Sequence, residues 1–289
     1  MNDKQNGLLL GAFIADSLAL GAHWVYDTNI IDQNYGRVTE LLDPIAVNFH
    51  PNRKAGEFTH YGDQMLLFYS HLRQSGSFKP SSYLEVWKDF FANYTGYKDH
   101  AMQDTMQNLN QGKTPSGSGS SDLSGVFYVP VLAALYDETT LRENIDSAVR
   151  MTHNSDSVVQ AAVFLAEILT DVLNGVKPLE ALERGAESEL LNPVTKALIK
   201  SGLKSIGEDS RTTISGFGQS CPADFGLPSV VHLIGSYEDD FETGLIENVM
   251  AGGDSAARGI FTGAVLGAGC GFSNIPERWL NGLKAKITL

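Results

Sequence analysis

The sequence is poor in cysteine, poor in basic residues, and without any apolar run long enough to cross a membrane. Its 289 residues include two cysteines, Cys221 and Cys270, whose spacing fits no metal motif and predicts free thiols in a reducing cytoplasm. Lysine and arginine number 21 against 34 acidic residues, and the net charge of −13 argues against nucleic-acid binding, which requires cations that neutralise phosphates. The longest apolar run, residues 259–272, falls short of the roughly 20 residues of a membrane span. We therefore expect a cytoplasmic protein that binds neither nucleic acid nor membrane.

Strand-forming segments are also scarce, and the periodicity of the apolar residues is helical. The best candidate strand is "TTISGF" (212–217), whereas segments 8–20 and 157–173 place apolar residues at helical spacing. Prolines that favour the first turn of a helix open three further segments, at Pro80, Pro178 and Pro193. These patterns predict an all-α, multi-helix fold in which a single domain spans residues 1–289.

Four glycines recur at every fourth position of one predicted helix, namely Gly259, Gly263, Gly267 and Gly271. That spacing places them on nearly one helix face. Because each glycine costs about 1 kcal/mol of helix propensity, we expect another helix to pack closely against this face. The preceding "GGD" places Asp254 at the N-terminus of the helix, where it is either a cap or one ligand of a polar site.

One segment is not helical, the Gly- and Ser-rich stretch 112–125, "GKTPSGSGSSDLSG". Its composition suits a linker between two domains. It suits equally a loop that opens a helix and offers backbone N–H groups to an anion. Composition alone leaves both alternatives open.

The sequence has no H-E-x-x-H, G-x-S-x-G or P-loop motif, but polar residues interrupt its apolar segments in four places. Polar residues beside core helices are either capping groups or groups of a site. The four places hold Asp16 with His23, His60 with Asp63, His153 in "THNSD", and Asp254.

Each of these groups has a purely structural alternative. Asp16 and His23 are two helical turns apart and can share a face, although a lone buried Asp usually bonds to a neighbouring helix end. His60 and Asp63 converge if their segment is helical, although the segment also fits a simple capped helix. His153 fits a turn as well as it fits a site. The spacing of these residues therefore predicts no particular reaction.

The order of the four groups resembles that of the ADP-ribosylglycohydrolase superfamily, which includes dinitrogenase reductase-activating glycohydrolases and a lens-crystallin branch. The resemblance covers nearly the whole chain and is carried by "GLLLGAFIADSLALGAHW", "FTHYGDQMLL", "SGSGSSDLSGVFYVPVL", "THNSDSVVQAAVFLAEIL" and, most specifically, "GGDSAARGIFTGAVLGAGCG". It implies an all-α bundle with a cleft at the helix ends. In the family, two divalent ions, usually magnesium, orient an ADP-ribosyl group there so that water attacks its anomeric carbon.

The chain departs from the family at the metal motifs. The first family motif is Thr-Asp-Asp-Thr before Gln-Met, where this chain has His60–Asp63, with Asp63 falling on the second Thr. The second is Gly-Gly-Asp-x-Asp-Thr, where Asp254 matches the first Asp but Ala256 and Ala257 replace the other two ligands. The acid that the better-known hydrolases carry seven places after the opening-helix Asp is His23 here.

Two magnesium ions need several anionic oxygens to offset their desolvation, so this ligand loss predicts a depleted metal site. Asp63 and Asp254 remain as candidate metal ligands. We expect no required cofactor and at most one weakly bound Mg²⁺. Restoring acids at Ala256 and Gly62 should raise magnesium affinity if the backbone keeps the family geometry.

The resemblance also implies roles for the remaining polar residues. A histidine beside carboxylates can act as general base in place of a metal-activated water. The predicted catalytic residues are Asp16, His23, His60 and Asp63, and the predicted substrate-binding residues are Ser121, Asp122 and His153. The expected function is hydrolysis of a glycosidic bond of an ADP-ribosyl or related nucleotide or glycoside group, on a small molecule or an ADP-ribosylated substrate. The alternative is a catalytically silent binding or structural member, as in the crystallin branch.

Overall fold

A computed structural model describes all 289 residues, which form fifteen α-helices and no sheet. Three short 3₁₀ helices lie at Leu20–Ala22, Leu123–Phe127 and Phe272–Asn274. The α-helices are α1 (Asp3–Ala19), α2 (Thr28–Tyr35), α3 (His60–Ser75), α4 (Pro80–Ala92), α5 (His100–Asn110), α6 (Tyr128–Leu135), α7 (Glu138–Arg150), α8 (Asp156–Leu173), α9 (Pro178–Ala186), α10 (Pro193–Lys204), α11 (Ser210–Phe217), α12 (Ala223–Ser236), α13 (Phe241–Met250), α14 (Ser255–Cys270) and α15 (Glu277–Gly282). The predicted all-α, single-domain fold is confirmed.

Local sequence signals explain most helix ends, including one that contradicts the strand prediction. The three prolines open α4, α9 and α10 as predicted. The candidate strand 212–217 is wrong, because these residues lie in α11. The side chain of Asp209 caps this helix by accepting from Thr212 N–H, and Gly218 ends it at φ +112°. A cap and a stop nine positions apart therefore override the β-branched composition of the segment.

One hydrophobic core connects the first helix to the last, since a single cluster of 73 buried side chains runs from Leu8 to Trp279. The Gly/Ser stretch 112–125 is folded onto this body and is not a linker between domains. Ser118 N–H donates to Thr152 O at 3.0 Å, and Asn154 N–H donates to Ser118 O at 2.7 Å. None of the helices has both the length and the hydropathy that crossing a bilayer would require.

The glycine face of α14 packs against α1 in direct backbone contact, although the fourth predicted glycine, Gly271, lies one position beyond the helix at φ +78°. The two helices are antiparallel, because Gly7 of α1 meets Gly267 of α14 and Gly11 meets Gly263. A Cβ at Gly263 would overlap the carbonyl oxygen of Gly11, so this contact requires glycine. The packing places the C-terminal end of α1 beside the N-terminus of α14, where the candidate site lies.

Asp16 attaches the end of α1 to the start of α3. Its carboxylate accepts from Thr59 N–H at 2.9 Å, from the Thr59 hydroxyl at 2.6 Å and from Gly62 N–H at 3.2 Å. Burial raises the pKa of Asp16 to about 7, although the Thr59 bonds lower it. These contacts are the helix-end bonding that a lone buried Asp usually makes, and they hold the end of α1 against the start of α3.

Candidate active site

Three loops meet around Asp254 and are joined by backbone hydrogen bonds. Trp24 N–H donates to Gly253 O at 2.9 Å, and Gly253 N–H returns a bond to Val25 O at 2.8 Å. Asp254 N–H donates to Gln219 O at 2.8 Å. The loop that follows α1, the loop before α12 and the N-terminus of α14 therefore form one connected unit.

A further loop, the end of the Gly/Ser stretch, is joined to this unit in the same way. Leu123 N–H donates to Cys221 O at 2.8 Å, and Ala223 N–H donates to Ser121 O at 2.7 Å. These bonds hold Asp122 opposite Asp254, with Cys221 beside both. Residues that are far apart in sequence are thus positioned by backbone rather than by flexible side chains, which favours a preorganised site.

Asp254 is a helix cap, which confirms one predicted alternative, and it is also a member of a buried polar cluster. Its Oδ1 accepts from Ala257 N–H at 3.1 Å, which caps α14. His23 Nε2 lies 3.1 Å from the same oxygen, and the Tyr61 hydroxyl lies 3.3 Å from Oδ2. All four groups are buried.

Two histidines in series support Asp254: His23 contacts its carboxylate, and His50 contacts His23. His50 Nε2 lies 2.8 Å from His23 Nδ1, and both rings are buried. Since His23 donates through Nε2 to Asp254, its Nδ1 must accept from His50, and this assignment makes His23 a neutral donor. Burial lowers the pKa of His23 and that of His50, which agrees with two neutral rings.

The Tyr61 hydroxyl lies between two carboxylates, and this arrangement has a charge consequence. It is 3.0 Å from Asp122 Oδ2 and 3.3 Å from Asp254 Oδ2. One hydroxyl carries one proton and satisfies one carboxylate, so the second needs another proton or a cation. We call Tyr61, Asp122 and Asp254 the acidic cluster.

The two carboxyl groups of the acidic cluster have opposite pKa shifts. Burial raises the pKa of Asp122 well above its usual value, and the neighbouring charge of Asp254 adds to this effect. Burial alone would also raise the pKa of Asp254, but the hydrogen bonds from His23, Cys221 and Ala257 N–H outweigh it and hold the pKa far below its usual value. Within this pair, Asp122 is therefore the group that holds a proton more readily, and Asp254 is the group that ionises more readily.

Three partly or mostly buried side chains surround the outer side of the acidic cluster. Cys221 is half-buried, and burial together with Asp254 and Asp122 raises the pKa of its thiol strongly. Tyr26 is 46% exposed, and burial together with the charges of Cys221 and the two carboxylates raises its pKa to about 12. The Trp24 indole stacks on His23 with ring centroids 4.2 Å apart, and this Trp adopts φ +64°.

The predicted site residues divide into those that reach the acidic cluster and those that do not. His23, Asp122 and Asp254 meet there. His60 and Asp63 do share α3, but His60 Nε2 bonds to Asp99 at 3.0 Å.

Asp63 points the other way, to Arg53 and Tyr94, and lies outside the group formed by Asp122, Cys221 and Asp254. Burial raises the pKa of Asp63 even beside Arg53. A shared Asp63–Asp254 metal site therefore has no support in this arrangement, because the Asp63 carboxylate is neutralised by its own ion pair.

The two remaining predicted residues, His153 and Ser121, lie next to the loop segment that carries Asp122. His153 is 1% exposed; its Nδ1 is 3.0 Å from the Thr152 hydroxyl, and burial lowers its pKa to about 4. It packs against Gly125 and supports the loop that carries Asp122. Ser121 is half-buried and contributes its carbonyl to the Ala223 bond described above.

Sequence reasoning assigned no role to four residues of the site, His50, Tyr61, Asp99 and Cys221. His50 lies in an irregular loop, "NFHPNRK", without periodicity that would indicate burial. Asp99 reads as an ordinary cap of α5, which it also is. Cys221 is a free thiol, as predicted, but its position beside two carboxylates depends on loop packing.

The residues present do not fit the two magnesium ions that the family resemblance implies. Each octahedral magnesium needs about six oxygens, some of them from water. The donors beside Asp254 are one further carboxylate and one thiol, while Ala256 and Ala257 supply no side-chain oxygen. An acid at Gly62 would require the Asp16 carboxylate to move, because a Cβ there would overlap it.

Comparisons with known proteins support the resemblance along the whole chain. The family model for ADP-ribosylglycohydrolases matches residues 1–289. The chain is 22% identical over 300 residues to crystallin J1A of Tripedalia cystophora, covering 96% of this chain and 91% of that protein. It is 25% identical over 292 residues to an uncharacterized protein of Archaeoglobus fulgidus, covering 98% and 92% respectively.

A solved structure described as an ADP-ribosylglycohydrolase-related protein complex has the same fold. Its TM-score is 0.78 at 21% identity, and the match covers 97% of this chain and 92% of that one. Two features define the class of protein. They are an all-helical domain that is matched over its full length and a polar cluster where α1 meets α14. The chain belongs to the ADP-ribosylglycohydrolase family.

Proposed function

We propose that the chain hydrolyses a glycosidic bond of an ADP-ribosyl or related nucleotide or glycoside group, at the acidic cluster. The observation that carries this proposal is the pair of buried carboxyl groups joined by the Tyr61 hydroxyl. Glycosidic hydrolysis generally uses one carboxyl group as acid and another as base or nucleophile. The opposite pKa shifts of Asp122 and Asp254 provide this difference.

In the proposed reaction, bonds and protons balance without a metal ion or cofactor. Water attacks the anomeric carbon and gives a proton to Asp254, which His23 and His50 hold in place. The bond from the anomeric carbon to the leaving atom breaks, and Asp122 gives that atom its proton. The Tyr61 hydroxyl then donates to Asp122 while it accepts from Asp254, which restores the starting protonation state.

Family membership and the half-exposed outer side of the cluster support an ADP-ribosyl-type substrate. Tyr26, Ser121 and Cys221 are the partly exposed residues beside the carboxylates. The alternative is the silent member suggested by the crystallin J1 relatives, whose name implies a structural role for those proteins. Burial of two carboxyl groups around one hydroxyl costs stability. A catalytically silent member would have no activity that offsets this cost.

Removal of the bridging hydroxyl tests this function. We expect Tyr61→Phe to lower kcat by about 10²-fold, because the two carboxyl groups lose their proton connection, with a smaller change in KM. The matched control is Tyr128→Phe, which removes another buried hydroxyl, one that bonds to Thr152 at 3.1 Å. The assay is release of ADP-ribose from N- and O-linked ADP-ribosyl compounds. Equal losses in both variants would show that the effect is structural and would contradict the role of Tyr61.

Magnesium should not be required. We expect calorimetric titration of Mg²⁺ into the protein to reveal no tight site, and hydrolysis to be unchanged by Mg²⁺, because the donor set lacks the necessary oxygens. Two tight sites per chain would mean that other residues supply ligands, and would overturn the conclusion that the family's metal centre is lost.

A further inference from the structure

We infer that the group released in the proposed hydrolysis is a planar nitrogen heterocycle of the nucleobase type. This identity of the leaving group rests on the proposed function and narrows it. Four aromatic side chains beside the acidic cluster carry the inference, namely Trp24, Tyr26, Phe49 and Tyr97, which we call the aromatic wall. The first two lie between α1 and α2, and the other two come from the loops that precede α3 and α5.

The thiol of Cys221 connects the aromatic wall to the two carboxyl groups. Its Sγ and one carboxylate oxygen each of Asp122 and Asp254 lie within 4.8 Å of one another. Burial raises the pKa of the Cys221 thiol, and the neighbouring Trp24 indole N–H acts in the opposite direction as its hydrogen-bond donor. The indole is therefore next to the group that lies between the wall and the carboxylates.

Two tyrosines of the aromatic wall approach the same thiol. Burial and then the charge of Cys221 raise the pKa of Tyr26 to about 12. Burial also raises the pKa of Tyr97, with smaller effects from Asp99 and Cys221. Since neighbouring charges shift a pKa mainly at short range, both phenol groups lie at the outer side of the acidic cluster, close to Cys221.

The rings of the aromatic wall are partly exposed and leave ring surface free. Trp24 meets Phe49 and Tyr97 with ring centroids 4.9 and 5.1 Å apart, in both cases edge to face. Phe49 is 37% exposed and Tyr26 is 46% exposed, and Tyr26 belongs to neither of these ring pairs. Clustered apolar side chains beside a few convergent polar groups are typical of a ligand-binding surface.

Trp24 reaches its place in the wall through an unusual backbone conformation. Its φ of +64° is the only positive value at a residue other than glycine. Such conformations are costly and occur most often at functional sites. The Trp24 N–H holds this conformation by donating to Gly253 O at 2.9 Å, and the His23 ring stacks on the indole at 4.2 Å. The fold thus accepts a local cost that places an aromatic ring beside the acidic cluster.

The position of the aromatic wall selects the leaving group as its ligand. In an ADP-ribosyl compound, one complete ribose and two phosphates separate the adenine from the ribose whose anomeric carbon is attacked. The wall lies against Cys221, and so do both carboxyl groups of the proposed reaction. The ring that contacts the wall is therefore the one joined to the anomeric carbon, and aromatic side chains hold such planar bases by stacking.

The charges near the wall do not suit an anionic leaving group. Arg258 is buried, and it donates to the Asn248 side chain and to the carbonyls of Asn248 and Gly252. Arg53 is paired with Asp63. Neither guanidinium is free to bind a phosphate or a carboxylate on the leaving group, whereas an uncharged ring needs no such partner.

The reaction balances with a heterocycle as the leaving group. The bond between the anomeric carbon and the ring nitrogen breaks, and its electron pair stays on that nitrogen, which takes the proton of Asp122. The oxygen of water bonds to the anomeric carbon, and the proton it loses goes to Asp254. A conjugated ring accepts the electron pair more readily than an aliphatic amine, because the ring delocalises it.

Two ADP-ribosyl compounds that differ only in the leaving group test the inference. One carries thymine, linked through a ring nitrogen, and the other carries arginine, linked through its guanidinium group. We expect hydrolysis of the thymine compound, and we expect Tyr26→Leu to lower its kcat/KM about 10-fold or more, as loss of one stacking contact does. The arginine compound should change less than about threefold. Tyr26→Phe keeps the ring and should retain the natural values for both compounds.

Phe90→Leu is the matched control for loss of an exposed aromatic ring. Phe90 is also 46% exposed, but it lies on α4 outside the aromatic wall. We expect this variant to hydrolyse both compounds within about threefold of the natural protein. Equal losses for both compounds in Tyr26→Leu would assign the wall to the sugar, and no loss for either would remove Tyr26 from the site. Either result, or turnover of the arginine compound alone, would overturn the inference.

Calorimetric binding separates failure of this inference from failure of the proposed function. If neither compound is turned over, the proposed hydrolysis fails, and dissociation constants for the thymine compound and for free ADP-ribose are compared instead. Tyr26→Leu should then weaken binding of the thymine compound about 10-fold and leave binding of ADP-ribose unchanged. Equal dissociation constants for the thymine compound in the two proteins would show that the aromatic wall holds no heterocycle.

Discussion

Asp254→Asn is expected to lower kcat by about 10³-fold, because it removes the base that takes the proton from water. Asparagine has the same shape, and its side-chain oxygen still caps α14 by accepting from Ala257 N–H. The substitution therefore removes the charge held by His23 and leaves the helix in place. The measurement is steady-state release of ADP-ribose, with thermal unfolding recorded for both proteins.

Asp240→Asn is the matched control for this prediction. Asp240 is also a helix N-cap, with Thr243 N–H as its donor at 3.0 Å, but it is exposed on α13 and remote from the cluster. We expect its activity to remain within about threefold of the natural protein, since exposed substitutions change little. If Asp254→Asn and Asp240→Asn retained the same activity, Asp254 would be a cap and nothing more.

Gly263→Ala is expected to destabilise the protein by about 3 kcal/mol or more, the largest effect on stability that we predict. A Cβ at this position would overlap the carbonyl oxygen of Gly11, which belongs to rigid helix backbone. The two helices must then separate, and the junction that carries His23 and Asp254 would open. Urea unfolding measures the change in the free energy of unfolding, and activity should fall together with stability.

The same substitution at Gly216 should have the opposite sign. Gly216 lies in α11 with nothing near its missing Cβ, so alanine should stabilise the protein by about 0.4–1 kcal/mol through helix propensity and unfolded-state entropy. Equal effects of Gly263→Ala and Gly216→Ala would contradict the close packing of α1 on α14.

The sequence predicted those parts of the fold that depend on local pattern. Apolar periodicity and proline starts predicted α1, α4, α8, α9 and α10. The four-residue spacing of Gly263 and its neighbours predicted close helix packing, which α1 provides. The strand prediction at 212–217 failed because the local cap at Asp209 outweighed composition. Local sequence signals therefore predict helices when the capping residues are taken into account.

The candidate site was harder to predict because its contacts join distant loops. The resemblance placed His23, Asp122 and Asp254 in the cleft, and these three do meet. No local pattern indicates that His50 lies behind His23 or that Cys221 lies beside Asp254, since both depend on the packing of irregular segments.

The helical spacing of His60 and Asp63 places both residues on α3 but does not determine their partners. Both residues lie on α3, but their side chains bond to Asp99 and to Arg53, partners supplied by other segments. Spacing within a helix fixes which residues share a face, whereas the choice of partner depends on what packs against that face. A pair that is polar and correctly spaced can therefore belong to two separate contacts.

The most direct test of the account is release of ADP-ribose from a panel of N- and O-linked ADP-ribosyl compounds, measured in the presence of EDTA. EDTA removes divalent metal ions, so the acidic cluster acts with its own protons alone. The account predicts turnover of at least one linkage under these conditions, at a rate that added Mg²⁺ does not increase. Binding of free ADP-ribose without turnover of any linkage would contradict it, and would assign the chain to the silent members of the family.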